Sequence, residues 1–595
     1  MATMMTEIYD PENLEKPVGV FGDATYQLDS LDGVASVDLS GFDLVEVKRW
    51  SGNSDICPAL YHRAVSMPTH GLAWQDATGS WFQRVDSVID ARSTGVQVSA
   101  AYTITLGNNN RLAIQRAIDY CEARLGGQVV LPAGVILVSS SSSICIRMKS
   151  HVWLRGVGKD ATIIKVGPEQ SETAHVVNHF DTRNSKISDL CIDGNRSGQN
   201  PGIGGHGLRV GGSSTKIGCD GLTVRDVEIR DCSYGLGFQD GAIMNVLIDN
   251  CWIHETYRDA VDIKDYPSTV NSVFYPSQNI IIRDCLIERW GLSSALDDQN
   301  GIHTRSQKTQ IFGNTFKPNG GGCAIYLSAV SSQGPTGAKD SIVRDNVIYL
   351  PDPAVDGVNM SGIKCYADKC NIDGNVIYSG QRGIRISGDY CTVSNNKIFD
   401  STSSGLFASS DGASPSAGPR ELTAVGNVLI GRGRAGPPAV PFAGSGIYLS
   451  SDSGARFYGG FIEGWGNGLD VVAGTLNGLA NSVNFGANTN AASGITGAVR
   501  MIDCNGYKSV GSFQSSTVSV DAVGSQTVVM SHDLASTPSL IRSDAYVWGS
   551  ETTFQAVVRL ISVNSTTATV LLTVLSSGPS GTVARVGVTL RTSTS

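Results

Sequence analysis

Residues 186 to 471 repeat a two-part unit, and this repeat restricts the possible fold more than any other feature of the chain. The first part is a short apolar–polar alternation broken by a kink, as in "VRDVEI", "IRDCLI", "VRDNVI", "IDGNVI" and "VSNNKI". The second is Gly or Ala followed by apolar-x-apolar, as in "GLRV", "AVDI", "GIHT", "AIYL", "GIKC", "GIRI" and "GIYL". The kinks fall at Leu190, Val227, Cys251, Cys285, Asn314, Asn346, Asn375, Asn396 and Asn427, in steps of 37, 24, 34, 29, 32, 29, 21 and 31 residues. Strands of constant length joined by loops of varying length describe the coils of a parallel β-helix. The run of Asn at one equivalent position predicts a hydrogen-bonded ladder inside the turn, continued by Cys and apolar residues.

Composition agrees with a strand-and-turn architecture: 69 Gly, 17% charged residues and one segment of helical periodicity among 595 residues. The formal net charge of −9, with no basic block, argues against general nucleic-acid binding. "MATMMTEIYDPENLEK" lacks the apolar core of a signal peptide, and no run approaches a membrane span, so synthesis in a cytoplasm without membrane insertion is expected. Thirteen scattered Cys without a CxxC spacing predict buried reduced thiols, with neither a disulfide frame nor a zinc site.

The coils are expected to begin near Val129 and end near Asn505. Before them, "NNNRLAIQRAIDYCEARLGG" spaces Ile114, Ala117, Ile118, Cys121 and Leu125 helically, predicting a helix over 110–125, capped by Asn108 to Asn110 and ended by Gly126. Such a helix would cover the open first coil, whose apolar interior and strand edges are otherwise unprotected. The stretch "NNNRLAIQRAIDYCEARLGGQVVLPAGVILV" resembles the entry of the pectate-lyase-like superfamily into its right-handed β-helix. The preceding "GFDLVEVKRWSGNSDICPALYHRAVSMPTHGLAWQDATGSWFQRV" resembles the small β-rich neck of bacteriophage tailspikes, and "VVMSHDLASTPSLI" is similar to an element of phage tail C-terminal modules. The resemblance implies an all-β protein: a right-handed parallel β-helix of ten or more coils, with an N-terminal capping helix, a neck and a C-terminal β-sandwich-like module. The expected divisions are 1–30 for virion attachment, 31–100 for the neck, 101–505 for the β-helix and 506–595 for a β domain that trimerises or binds carbohydrate. The period-two, Val- and Thr-rich segment after residue 551 independently predicts small antiparallel sheets there.

In apolar-x-apolar strands the x residues face away from the core. Aligning the second-part strands gives the column Arg209, Gly237, Asp262, His303, Tyr326, Lys364, Arg385, Phe407, Tyr448 and Asp470, and beside it Gln239, Lys264, Arg305, Ser328, Tyr366, Ser387 and Ser409. At about 4.8 Å per rung, Asp262 to Arg385 would form a strip of roughly 20 Å. Tyr257, Tyr266, Tyr275 and Trp290 in flanking loops offer faces for stacking on sugar rings, and Lys264, Arg305, Lys364 and Arg385 suit an acidic polysaccharide.

Two chemistries fit this strip. Hydrolysis needs paired carboxyl groups, and Asp262 with Asp297 or Asp298 supplies them. Elimination needs a base, His303 or Tyr326, and cations around a uronate carboxylate. The resemblance to tailspikes implies a homotrimer that attaches to a virion or adaptor protein and acts at the host cell surface. It would depolymerise a bacterial surface polysaccharide, with hydrolysis preferred over lyase chemistry and with no cofactor or metal. A glycan-binding tail protein without turnover is the rival from another class.

Overall fold

The computed structural model describes residues 25 to 504 apart from short segments, the longest being 293–298, 331–336, 353–359, 410–418, 432–443 and 472–477. It also gives the backbone of strands at Tyr9–Asp10 and Asn13–Pro17 and of strands between Val510 and Thr592. Residues 1–262 with 266–277 form one compact unit, and 263–265 with 278–595 a second.

The first unit opens with a five-stranded sheet made of Thr25–Ser30, Leu44–Arg49, Ala59–Ala64, Ala73–Gln75 and Trp81–Arg84. Its core gathers Leu39, Val45, Val47, Tyr61, Trp74 and Phe82. A helix follows at Ile104–Ala123, with the Thr103 hydroxyl accepting from the Leu106 N–H as its cap. The helix therefore starts six residues before the predicted 110, because Asn110 has another task. Its buried amide bonds both backbone groups of Gln97 and the Leu137 carbonyl, tying the helix to the first coil from within rather than capping it. Ile114, Ala117, Ile118 and Cys121 lie on the covered face as the spacing predicts, joined by Ala113, whereas the predicted Leu125 falls beyond the helix end in the left-handed region (φ 64°) and is exposed. The coil strands then run in parallel register, for example Lys186–Asp193 beside Thr223–Cys232, and His175–Phe180 beside His206–Gly211 beside Tyr234–Phe238.

The second unit continues with three strands per coil, as in Ile342–Arg344, Val347–Tyr349 and Ser361–Cys365, each paired in parallel with its counterpart on the next coil. After the last coil strands, two antiparallel sheets contain Val510–Gln514, Leu540–Gly549 and Val583–Thr592, and Gly524–Ser531, Gln555–Val563 and Thr567–Ser576, respectively.

Two local rules explain why the repeat reads as it does. The residue before each kink lies in the left-handed region, from Asp284 (φ 54°) and Gly313 (68°) to Asp345 (54°), Gly374 (65°), Asn395 (54°) and Gly426 (64°). Asp, Asn and Gly tolerate that conformation where other residues pay a steric cost, hence "RDC", "FGN", "RDN", "DGN" and "SNN". The Gly opening each second-part strand is set by packing instead. A Cβ on Gly383 would lie 2.5 Å from Ile398 Cγ2 and 2.6 Å from the Gly405 carbonyl of the next rung.

Inside the corner the predicted Asn ladder is present. Asn314, Asn346, Asn375 and Asn396 each pass a backbone N–H and an amide hydrogen to the Oδ1 of the next Asn, at 2.9–3.1 Å, ending at Asn427. The second amide hydrogen of each goes to a strand carbonyl, such as Ile311 for Asn346 at 3.0 Å. All thirteen Cys are buried and none forms a disulfide.

Candidate functional site

The register of the second unit aligns His303, Tyr326, Lys364, Arg385, Phe407, Tyr448 and Asp470 in one column of successive strands. From His303 to Tyr448 the side chains, with Tyr366 and Arg382 between them, form a continuous stack. The His303 and Tyr326 rings lie 4.4 Å apart and nearly parallel, at 15°. Lys364 Nζ sits 4.4 Å from the Tyr326 ring centre and 4.8 Å from that of Tyr366, whose edge meets Tyr326 at 5.5 Å. Arg385 lies over Tyr366 and Phe407, Arg382 over Phe407 at 4.2 Å, and Phe407 stacks on Tyr448 at 4.8 Å. Cations alternating with ring faces hold this arrangement by electrostatic attraction to the ring quadrupoles.

Two hydrogen bonds orient the His303 ring. Arg305 can only donate, and its Nη2 lies 3.4 Å from His303 Nδ1, so that nitrogen accepts. His303 Nε2–H then donates to the Ser328 hydroxyl at 2.8 Å. Burial pushes the Tyr326 hydroxyl above its ordinary range, opposed by a hydrogen bond with Ser328. Burial likewise pulls Lys364, Arg382 and Arg385 below theirs and raises Tyr366 to about 12. Lys364 and Arg382 are half-buried and have no acidic partner among the described residues, and Arg382 Nε is buried without a hydrogen bond. Desolvated cations lacking counterions favour an anionic ligand.

The remaining expectations divide. His303 and Arg305 are only 2% and 9% exposed, so they are not the open surface residues that alternation alone implied. The neighbouring rung covers His303, Tyr326 by stacking and Ser328 by its bond. Trp290 is a correction. It is fully buried and packs edge-on against Phe316 at 6.2 Å, so it belongs to the core and presents no face to a sugar. Lys264 is half-buried in the second unit. Asp297 and Asp298 lie outside the described residues. In the first unit, Asp262 is buried on the strand Val261–Ile263. Tyr257 is covered by Arg196, 3.0 Å from its ring centre, and Tyr266 is half-buried. Tyr275 closes the two-stranded hairpin Ser268–Val270 and Val273–Tyr275, where Phe274 is exposed.

Alignment of apolar-x-apolar missed Arg382 as a site residue. It precedes the Gly of its strand, and that place faces the same way on every rung, a signal readable as "x-Gly-apolar". The same place in the first unit holds His175, His206 and Tyr234. Nδ1 of His175 lies 3.0 Å from Nδ1 of His206, whose ring stacks on Tyr234 at 4.9 Å, while Arg258 bonds the Tyr234 hydroxyl.

The family described as "Right handed beta helix region" matches residues 181–348, so the parallel β-helix is right-handed, as expected. Mannuronan C5-epimerase AlgE4 of Azotobacter vinelandii is 34% identical over 178 residues, covering 28% of this chain and 31% of the epimerase. Alginate lyase 7 of the same organism is 33% identical over 155 residues, 25% of this chain and 18% of the lyase. The chain thus spans about a third or less of the length of these relatives. Among solved structures, the tailspike protein gp49 of Acinetobacter baumannii bacteriophage Fri1, a capsular polysaccharide depolymerase, aligns over 95% of this chain and 98% of its own at 14% identity and TM-score 0.45. A tailspike protein of E. coli bacteriophage HK620 aligns over 88% and 97% at 14% identity and TM-score 0.48.

Proposed function

We propose that this chain is a tailspike-type depolymerase that cleaves a uronate-containing bacterial surface polysaccharide by β-elimination on the second-unit wall. The observation that carries the reading is the stack of His303, Tyr326 and Lys364, with two half-buried cations that have no acidic partner among the described residues. Lys364, Arg382 and Arg385 bind uronate carboxylates along the wall, and the rings of Tyr366, Phe407 and Tyr448 pack between them. Arg305 turns from His303 to the carboxylate of the reacting sugar, which frees the imidazole lone pair at Nδ1. His303 then takes the C5 proton, the C4–O4 bond breaks as the C4–C5 double bond forms, and Tyr326 protonates the departing O4. Cations at the carboxylate stabilise the charge that develops there in the transition state. A hydroxyl kept protonated by burial suits the acid, and an imidazole whose Nδ1 is freed suits the base. The partial likeness to a mannuronan epimerase and an alginate lyase supports a uronate, because both names denote chemistry on uronate polymers.

Elimination is preferred here over hydrolysis because His303, Tyr326 and the cations share one column of the second unit, while the hydrolytic pairing uses Asp297 or Asp298, outside the described residues. The test is incubation with alginate, polygalacturonate and uronate-bearing capsular preparations. New reducing ends should appear together with ultraviolet absorbance from unsaturated uronates. Reducing ends without that absorbance would show hydrolysis, and neither signal, with retained glycan binding, would show a binder.

A further inference from the structure

We propose that Cys365, Cys370 and Cys391 form a binding site for one soft, thiophilic metal cation of the Cu(I), Zn(II) and Cd(II) class, at an interior corner of the β-helix. The three sulfurs lie within 4.8 Å of one another and all three residues are buried. They make up the one convergence of three cysteines among the described residues. A metal held by thiolates at about 2.3 Å in a plane requires sulfurs about 4.0 Å apart, so less than about 1 Å of side-chain adjustment closes the site. Three soft sulfur donors select thiophilic ions over Mg(II) or Ca(II).

The fold explains how residues without a CxxC spacing meet. Cys365 ends the strand Ser361–Cys365, directly after Lys364 of the wall. Cys370 precedes the strand Asn371–Asp373, and Cys391 precedes Thr392–Ser394 one rung later in the same place. Stacking itself does not demand sulfur here. The places equivalent to Cys370 and Cys391 on the flanking rungs hold Ser341 and Leu422, and those equivalent to Cys365 hold Leu327 and Ile386. In the protonated state the thiols face backbone carbonyls: Cys365 and Cys391 both approach the Ala367 oxygen, at 3.4 and 3.3 Å, and Cys370 the Ala338 oxygen at 3.4 Å. Binding exchanges three S–H protons for three metal–sulfur bonds, so three protons are released per ion and affinity rises with pH. An ion there would clamp two successive coils beneath Lys364 and Arg385.

The test is titration of the reduced, chelator-stripped full chain with cadmium, following the sulfur-to-metal charge-transfer absorbance and the thermal unfolding midpoint. One equivalent per chain is expected, with proton release and a raised midpoint. Cys370→Ser, which installs the residue of the preceding rung, and Cys365→Ile, which installs that of the next, should each lose the band and at least tenfold in affinity. Cys219→Ser in the first unit should leave both unchanged. Absence of a saturable band in the parent protein, or parent-like binding by Cys370→Ser or Cys365→Ile, would overturn the assignment.

Discussion

Replacing Asn346 by Ala tests whether the interior ladder holds the coils together. Asn346 Oδ1 accepts from the Asn314 backbone N–H and from its amide, both at 3.0 Å, while Asn346 Nδ2 donates to Ile311 O and Asn375 Oδ1 at 3.0 and 2.9 Å. Alanine removes all four bonds. Asn375 Oδ1 keeps the Asn346 backbone N–H at 3.1 Å, but the two Asn314 donors face a fully buried corner without an acceptor. At about 1–3 kcal/mol for each stranded donor, the substitution should cost about 3–5 kcal/mol. Asn427, at the ladder's end and 8% exposed, offers solvent a route to the donors its loss would free, so Asn427→Ala should cost about 1–2 kcal/mol. Guanidinium unfolding followed by Trp fluorescence, with the denaturant slope checked for equality, reads both values. A loss below about 1 kcal/mol for Asn346→Ala, or a larger loss for Asn427→Ala, would refute the ladder's structural role.

Further outcomes concern packing, acid stability and the wall. Gly383→Ala should lower stability by at least about 2 kcal/mol, since its methyl group meets Ile398 and the Gly405 carbonyl; an unchanged melting temperature would contradict this. Burial depresses His175, which Arg209 also disfavours, to about 4, and His179 to about 3. Both stay neutral in the folded chain while the unfolded chain takes up protons below about 6.5, so stability is full above that pH and falls as pH drops from about 6.5 towards 4. Melting temperatures across that window measure the slope, and His179→Gln should flatten it. Lys364→Met should raise KM tenfold or more on a uronate polymer and weaken its salt dependence, with kcat changed less. Tyr326→Phe should lower kcat by about a hundredfold or more with KM little altered, the loss expected when a general acid is removed.

The fold was legible because its causes are local and repeated. Gly before apolar-x-apolar, Asn at the corner and Asp, Asn or Gly just before it each answer a steric or hydrogen-bonding demand met on every coil. Alignment therefore gave the register that brings His303, Tyr326, Lys364 and Arg385 together. Burial was less legible. Alternation tells which way His303 points, but not that Tyr326 and Ser328 cover it. Trp290 read as a loop aromatic because nothing in the sequence announces that Phe316, on the next coil, receives its edge. Asn110 read as a cap because its residue type favours caps, whereas its contacts with Gln97 and Leu137 are long-range. The Cys365, Cys370 and Cys391 corner escaped a motif search because the coil, not the spacing, brings the sulfurs together.

The mass spectrum of the oligosaccharides released from a uronate polymer by the purified chain tests the elimination reading most directly. Elimination yields fragments with an unsaturated non-reducing end, each one water lighter than the hydrolytic fragment of the same length, and these should disappear with His303→Ala. Fragments carrying the added water, or undiminished release by His303→Ala, would contradict a wall built around that imidazole.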